Sequence, residues 1–365
     1  MSENKPIQLG LCCLNTKLRA QKPTVFASRS IILRTLHEKG LDFLKEKILQ
    51  NLDDLLTMIE WNEQNGIKVF RLSSGMFPHK SNVRAQDYSL DFAKEKLKKI
   101  GLLAREYHQR LTFHPGQYNV IGSPHPKVVE STTRDLLYHA EVLDAMEMPA
   151  ESVMVIHGGG TYGDIESTKK RWCENYLKMP EPIRRRLVLE NCEKNFSIED
   201  CLEISDKVNV PVVFDTHHYT CYNILHPDTD DYKNTIKPAE EYIPHILETW
   251  RRRGIKPKFH VSEQGSGKCG HHSDFIEVIP EYLLEIPEKY GVDIDIMIEA
   301  KLKEQAIFHL YEKYPQLDCK ATTTPPPPPP LPPPPPPPLP PPLPENTPKK
   351  SKKSKKLKLV LKKKI

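Results

Sequence analysis

Short apolar runs alternate with amphipathic segments of helical length along residues 1–320, and this alternation limits the fold more than any other feature of the chain. Short runs rich in β-branched and aliphatic residues are typical of buried strands, whereas apolar residues at every third or fourth position are typical of helices packed on a sheet. There are eight such runs: Ile7–Cys13, Lys68–Leu72, Arg110–Phe113, Ser152–Ile156, Arg186–Leu189, Val210–Phe214, Pro257–Val261 and Ile294–Ile298. Eight strands alternating with helices predict a (β/α)8 TIM barrel. A doubly wound open sheet is the alternative, but no glycine-rich phosphate loop follows the first run.

The end of the chain differs in composition from the rest. Of the 35 prolines, 18 lie between Pro325 and Pro348, and residues 349–365 contain ten lysines. The prolines predict a stiff polyproline II linker over residues 321–348, and the lysines predict a solvated basic tail over residues 349–365. We expect both segments to be disordered and residues 1–320 to form one barrel domain. The tail could bind DNA, a nuclear import receptor or a polyproline-binding module.

Charge and cysteine usage exclude several classes of protein. The whole chain carries +5 and residues 321–365 carry +9, so residues 1–320 carry −4 and do not form a basic nucleic-acid-coating domain. No stretch of 18 apolar residues predicts a membrane span, and the polar start of the chain lacks a signal-peptide core. The eight cysteines form no CxxC pair, which favours free thiols in a reducing intracellular compartment. The basic tail could also direct the protein to the nucleus. We expect the protein to be a monomer.

Side chains that can bind metal ions follow or, in the seventh strand, lie near the end of six consecutive predicted strands, beginning with the third. In a (β/α)8 barrel these positions meet at one end, where the active site forms. The residues are His114, His157, Glu190, Asp215 with His218, His260 and Glu299. Imidazole and carboxylate ligands without thiolate suit Zn²⁺, Mn²⁺ or Fe²⁺. More than four ligands indicate more than one ion, and Glu190, in the middle of the series, is the natural bridge.

Eight segments of the sequence resemble the UV damage endonuclease family. They are FHPGQY (Phe113–Tyr118), VIHGGG (Val155–Gly160), LVLEN (Leu187–Asn191), FDTHH (Phe214–His218), KFHVS (Lys258–Ser262), IEAKLKEQA (Ile298–Ala306), RLSSGMFPH (Arg71–His79) and GSPHPKVVE (Gly122–Glu130). The resemblance implies a TIM-barrel DNA repair enzyme, similar to endonuclease IV. Such an enzyme nicks damaged duplex DNA 5′ of a pyrimidine dimer or 6-4 photoproduct and leaves a 3′-hydroxyl and a 5′-phosphate.

The resemblance also implies roles for individual residues. It assigns one metal ion to His114, His157 and Glu190, a second to Glu190, Asp215, His260 and Glu299, and a third to His218 and His272. His217 and His271 are the alternatives for the third ion. Two or three divalent ions are therefore expected, with Mn²⁺ favoured and Zn²⁺ as the alternative. Lys258 matches a family lysine that can be carboxylated, and as plain lysine it would face a phosphate. Asn15, Gln117 and Tyr118 match lesion-binding positions, and Gln117 with Tyr118 would form a wedge inserted into the duplex.

Two departures from the family pattern and three other functions stay open at this stage. Gly75 occupies a position where some members have a histidine near the first metal ion, and Leu11 replaces a strand 1 tyrosine. The other functions are an abasic-site endonuclease without photoproduct activity, a metal-dependent sugar isomerase, and a non-enzymatic scaffold that uses the polyproline segment. The isomerase is disfavoured because its sites are richer in carboxylates.

Overall fold

Eight parallel strands, each followed by helical segments, form the barrel that the alternating pattern predicts. The computed structural model describes residues 5–227 and 237–320, all within the unit Met1–Thr323; the predicted linker and tail lie outside the described residues. The strands are β1 (Ile7–Cys12), β2 (Val69–Arg71), β3 (Arg110–Thr112), β4 (Met154–His157), β5 (Leu187–Glu190), β6 (Val212–Asp215), β7 (Lys258–Val261) and β8 (Ile294–Ile298).

The sheet closes on itself, which confirms the (β/α)8 barrel and excludes the open doubly wound sheet. The strands are hydrogen-bonded in the order β3-β2-β1-β8-β7-β6-β5-β4. A parallel bridge between Phe113 and Met154 then joins the two ends of this series. In this bridge the Phe113 N–H donates to the carbonyl of Val153 over 2.9 Å, and the Val155 N–H donates back to Phe113 over 3.0 Å.

Three strands end later than the apolar pattern predicts, because their last residues are polar. β4, β5 and β6 end at His157, Glu190 and Asp215, each of which keeps a ladder partner on the neighbouring strand. His157 is in register with Glu190, and Asp215 with His260. The strand ends themselves therefore carry the polar side chains of the site.

The helices cover the outside of the barrel. They are α1 (Thr16–Arg19), α2 (Leu33–Gln64), α3 (Lys94–Glu106), α4 (Pro126–Ala145), α5 (Ile165–Lys178), α6 (Glu181–Arg184), α7 (Ile198–Val208), α8 (Thr216–Leu225), α9 (Ile243–Arg251), α10 (Glu281–Leu284), α11 (Ile286–Tyr290) and α12 (Glu304–Lys313). Ser197 and Asp200 form a capping box at the start of α7, as their spacing predicts. Among the described residues, no helix has the length and apolar character needed to cross a membrane.

Buried ion pairs close the end of the barrel opposite the polar strand ends. Asp295, near the start of β8, is fully buried and accepts from Arg110 over 2.8 Å. Lys256 lies 2.6 Å from the other oxygen of the same carboxylate. Because each charge has a partner, this end can be sealed without an unpaired buried charge. The ion pairs at this end stabilise the barrel, whereas the other end is free to carry the active site.

Candidate metal centre

The side chain of Glu190 lies at the centre of a cluster of polar side chains at the C-terminal ends of the strands. Its carboxylate is fully buried. One oxygen lies 2.9 Å from Nε2 of His114 and 3.1 Å from Nε2 of His157. The other oxygen lies 2.7 Å from Nδ1 of His260 and 3.7 Å from Nδ1 of His218. Four imidazoles from four different barrel segments therefore surround one carboxylate.

Electrostatics keep Glu190 ionised in spite of its burial. Burial alone would raise its pKa, but nearby His260 and His157 and the hydrogen bonds from the imidazoles hold the pKa well below its usual range. Burial has the opposite effect on His260 and lowers its pKa to about 4. A neutral His260 can donate from Nδ1 to Glu190 while Nε2 accepts from Lys258. Without a cation, the cluster thus combines an anionic Glu190 with a neutral His260, whereas nearby carboxylates raise the pKa of His218 to about 9. Binding of a divalent cation would displace the protons of its imidazole ligands.

Asp215 is the strongest sign that the cluster accommodates a cation. Its Oδ1 caps α8 by accepting from the backbone N–H of His218 over 2.7 Å, while its buried Oδ2 has no hydrogen-bond partner in the described structure. Burial raises the pKa of Asp215 to about 7, and the negative charges of Glu190 and Glu299 also raise it, against the effect of His218. A buried carboxylate oxygen without a partner is costly, and a metal ion would satisfy it.

The candidate ligands fall into two groups that share Glu190. His114, His157 and Glu190 form one group, and Glu190, Asp215 and His260 form the other; within each group one ligand atom per residue lies within 4.8 Å of the rest. Glu299 extends the second group, since its Oε1 lies 3.3 Å from Nδ1 of His260. Each of the two groups could hold a metal ion, and Glu190 is common to both.

The residues proposed for a third ion lie at the edge of the cluster. Nδ1 of His272 is 3.9 Å from Oε2 of Glu299, and the rings of His272 and His218 have centroids 6.4 Å apart. His218 faces inward, with Nδ1 3.8 Å from Asp215. His217 instead lies beside Cys221, with Nε2 3.4 Å from its sulfur. The rings of His217 and His218 lie equally far from that of His272, at 6.3 and 6.4 Å, so the position of His218 beside Asp215 is what favours it over His217.

Lys258 lies one layer below the ligands. It begins β7, two residues before His260, so both side chains point into the barrel. Its Nζ is 2.6 Å from Nε2 of His260, and the residue is fully buried. Burial, together with the charges of Arg71 and Arg110, lowers the pKa of Lys258 to about 8. The amine therefore acts on the site through His260.

Two residues of the cluster, Arg71 and Asn191, were absent from the sequence prediction. Arg71, the last residue of β2, forms an ion pair with Glu299, which follows β8 on the other side of β1. Asn191 follows β5 and exchanges two hydrogen bonds with the backbone of Asp215, at 2.8 and 3.0 Å. Arg71 lies inside the predicted strand Lys68–Leu72, so looking only at residues that follow strands could not find it. Asn191 could not be found this way either, because its neighbour Glu190 already occupied the strand end.

An exposed aromatic ring lies beside the metal-ligand cluster. Tyr118, on the loop after β3, is 64% exposed, and neighbouring Gln117 is also exposed. The ring packs over Gly116, where an added Cβ would lie 2.4 Å from a ring carbon. Its hydroxyl lies 3.4 Å from buried Asp135 of α4, which also accepts from Asn119 over 2.8 Å. Contacts with Asp135 therefore hold the loop in place, while the ring of Tyr118 stays open to solvent.

Asn15, Leu11 and Gly75 differ in their access to the site. Asn15 is buried, and its side chain caps α1 by accepting from Leu18 over 2.8 Å. Leu11 is fully buried within β1. These two side chains are therefore enclosed in the barrel wall. Gly75 is exposed, and a Cβ there would approach no neighbouring atom closer than 3.5 Å. The loop after β2 thus has room for a larger side chain that this chain lacks.

The fold and the cluster define a class of protein: (β/α)8 barrels whose strand ends carry histidine and carboxylate side chains that could hold divalent metal ions. A comparison with known families is more specific. Residues 7–324 match the model of the UV-endonuclease UvdE family, and the chain belongs to this family. The resemblance seen in the sequence motifs is therefore confirmed.

Individual relatives agree with this assignment. A protein of Acanthamoeba polyphaga mimivirus, provisionally named a UV-damage endonuclease, is 41% identical over 84% of this chain and 91% of its own length. The UV-damage endonuclease of Schizosaccharomyces pombe is 39% identical over 85% of this chain, which spans only 52% of that protein. The crystal structure of SacUVDE is similar with a TM-score of 0.72 and 29% identity, and it covers 85% of this chain and 100% of its own.

Proposed function

We propose that this protein is a DNA repair endonuclease that hydrolyses a phosphodiester bond of duplex DNA immediately 5′ of a UV photoproduct. Pyrimidine dimers and 6-4 photoproducts are the proposed substrates, with abasic sites as a further one. Two or three divalent cations would assist the reaction, with Mn²⁺ favoured and Zn²⁺ as the alternative. The observation that carries this proposal is the buried Glu190 carboxylate shared by two groups of ligands, in a chain that belongs to the UvdE family.

The bound cations would lower the pKa of the attacking water and neutralise charge on the leaving oxygen. The protein's own contribution is to fix the ligands in place before DNA binds. Asn191 ties the ends of β5 and β6 together and so sets the spacing between Glu190 and Asp215. Lys258 orients His260 from below, and Arg71 orients Glu299 from the side. Such supporting contacts reduce the reorganisation that the reaction would otherwise require.

Lesion recognition is assigned to Gln117 and Tyr118. Their exposure on an anchored loop next to His114 suits a wedge that fills the gap left when damaged bases leave the stack. A photodimer is already poorly stacked, so displacing it costs less than displacing normal bases. This difference is a physical source of selectivity for damage. Asn15, buried under α1, would support the adjoining loop and leave lesion contact to Gln117 and Tyr118.

The segments beyond residue 320 are assigned accessory roles. We propose that residues 321–348 form a linker and that residues 349–365 add non-specific DNA affinity, with nuclear import or a polyproline-binding partner as further roles. The repair function itself is assigned to residues 1–320, acting as a monomer.

A defined substrate tests the proposal directly. A duplex with one cyclobutane pyrimidine dimer is incubated with the protein in Mn²⁺ and in EDTA, and the cut and its end groups are mapped. We expect one nick directly 5′ of the dimer, with a 3′-hydroxyl and a 5′-phosphate, and no nick in EDTA. A matched duplex with one abasic site in place of the dimer is the control. Cutting of the abasic duplex alone would replace the proposal with an abasic-site endonuclease.

A further inference from the structure

Lys303 has a backbone conformation that residues other than glycine rarely adopt. It precedes α12 with φ 51° and ψ −116°, four residues beyond Glu299. Such conformations are unfavourable and persist only where the surrounding structure enforces them. They are concentrated at functional sites, so the contacts that hold Lys303 and the surroundings of its ammonium indicate what the strain achieves.

The following residue, Glu304, holds this strained backbone. Its fully buried carboxylate accepts from the backbone N–H groups of Thr16 and Lys17, both over 2.8 Å, and from the Thr16 hydroxyl. Gln305 adds a 2.7 Å hydrogen bond to the same hydroxyl. The loop after β8 is thereby clamped to the loop after β1, and the position of Lys303 is fixed by contacts that its own side chain does not make.

The ammonium of Lys303 has no ion-pair partner within residues 5–227 and 237–320. Its place in the chain brings it to the cluster, because it lies four residues after Glu299 on the loop that follows β8. The two preceding residues tie this loop to the segment after His272: the Lys301 N–H donates to the carbonyl of Ser273 over 3.0 Å, and the Leu302 N–H donates to the carbonyl of Asp274 over 3.1 Å. Lys303 therefore lies on a loop held between the segments that carry Glu299 and His272.

We propose that Lys303 is a DNA-binding residue that contacts a backbone phosphate beside the scissile bond. This inference rests on the proposed function, because it takes duplex DNA as the substrate. An unpaired cation on a clamped loop next to a metal-ligand cluster suits a phosphodiester, which needs neutralising charge on the side that the metal ions do not reach. The contacts of Glu304 hold the backbone of Lys303 in its strained conformation beside the cluster, at a cost to the stability of the protein.

Three variants of Lys303 separate charge from backbone strain. Lys303→Gln removes the charge and keeps the strain, Lys303→Arg keeps the charge, and Lys303→Gly removes the charge and relieves the strain. Lys301→Gln is the matched control, because Lys301 is an exposed lysine of the same loop. Each full-length variant is bound to the dimer-containing duplex in EDTA at several KCl concentrations, and its melting temperature is recorded.

We expect Lys303→Gln and Lys303→Gly to weaken binding about three- to tenfold and to reduce the salt slope of log K by about 0.9, the share of one phosphate contact. Lys303→Arg and Lys301→Gln should bind as wild type does, and Lys303→Gly should melt at or above the wild-type temperature. An unchanged salt slope for Lys303→Gln, or an equal loss in Lys301→Gln, would overturn the inference. Wild type that binds the duplex but never nicks it in Mn²⁺ would instead refute the proposed function and leave the phosphate contact in place.

Discussion

Replacing Tyr118 with alanine tests how the enzyme distinguishes damaged DNA from intact DNA. The ring is 64% exposed and its hydroxyl lies 3.4 Å from Asp135, at the long limit of a hydrogen bond. Little of the ring is buried against the protein, so its removal should cost less than about 1 kcal/mol of folding free energy. Any large effect must therefore come from DNA.

The expected effect on DNA follows from stacking. An aromatic side chain stacked on a base contributes about 1–3 kcal/mol. Losing this contact corresponds to roughly a ten- to hundredfold loss of affinity, since about 1.4 kcal/mol is a factor of ten. The ligands around Glu190 remain intact, so the cut position should not change. The double variant Gln117→Ala, Tyr118→Ala should lose more affinity for the damaged duplex than Tyr118→Ala alone.

The assay compares three duplexes of one sequence: undamaged, with one dimer, and with one abasic site. Binding is measured by fluorescence anisotropy and nicking under single-turnover conditions in Mn²⁺. Tyr118→Phe is the control, because it keeps the ring and removes only the weak bond to Asp135; we expect it to stay within about twofold of wild type. The loss in Tyr118→Ala should be larger on the dimer than on the abasic site. If Tyr118→Ala nicks the dimer-containing duplex at the wild-type rate, Tyr118 does not act as a wedge.

The remaining predictions concern charge, metal and the tail. Glu190→Gln keeps the size of the shared ligand but removes its charge, so nicking should fall by about 10³-fold or more while circular dichroism stays native; near-wild-type nicking would contradict the bridging role. In EDTA the free energy of unfolding, measured with urea, should fall between pH 6.5 and 9, because the pKa of His218 is raised from 6.5 to about 9 in the folded protein and the stability from its protonation is lost over this range. The pKa of Asp215 is raised to about 7, so its own loss is largely complete by pH 7. Asp215→Asn should flatten the fall above pH 7, because it removes a negative charge that raises the pKa of His218. A chain ending at Lys320 should nick the dimer normally but bind DNA with a shallower salt dependence, and an unchanged slope would show that the tail does not contact DNA.

The strands and the types of ligand could be predicted from the sequence because both depend on local patterns. Apolar runs of strand length mark the barrel strands wherever they occur, and β8 was placed without error at Ile294–Ile298. The carboxyl ends of parallel strands meet at one end of a barrel, so knowing that His114, His157 and Glu190 follow strands was enough to expect them to converge.

Tertiary structure alone decided which of these side chains touch and which are enclosed. The pairing of Arg71 with Glu299 joins residues 228 positions apart, and no periodicity encodes such a distance. Asn15 and Tyr118 were equivalent as predicted lesion contacts, yet the first is 1% exposed and the second 64% exposed. Hydrophobic periodicity specifies the face of a strand or helix on which a side chain lies. The closing of the barrel and the packing of its loops determine which side chains come into contact and which stay exposed to solvent.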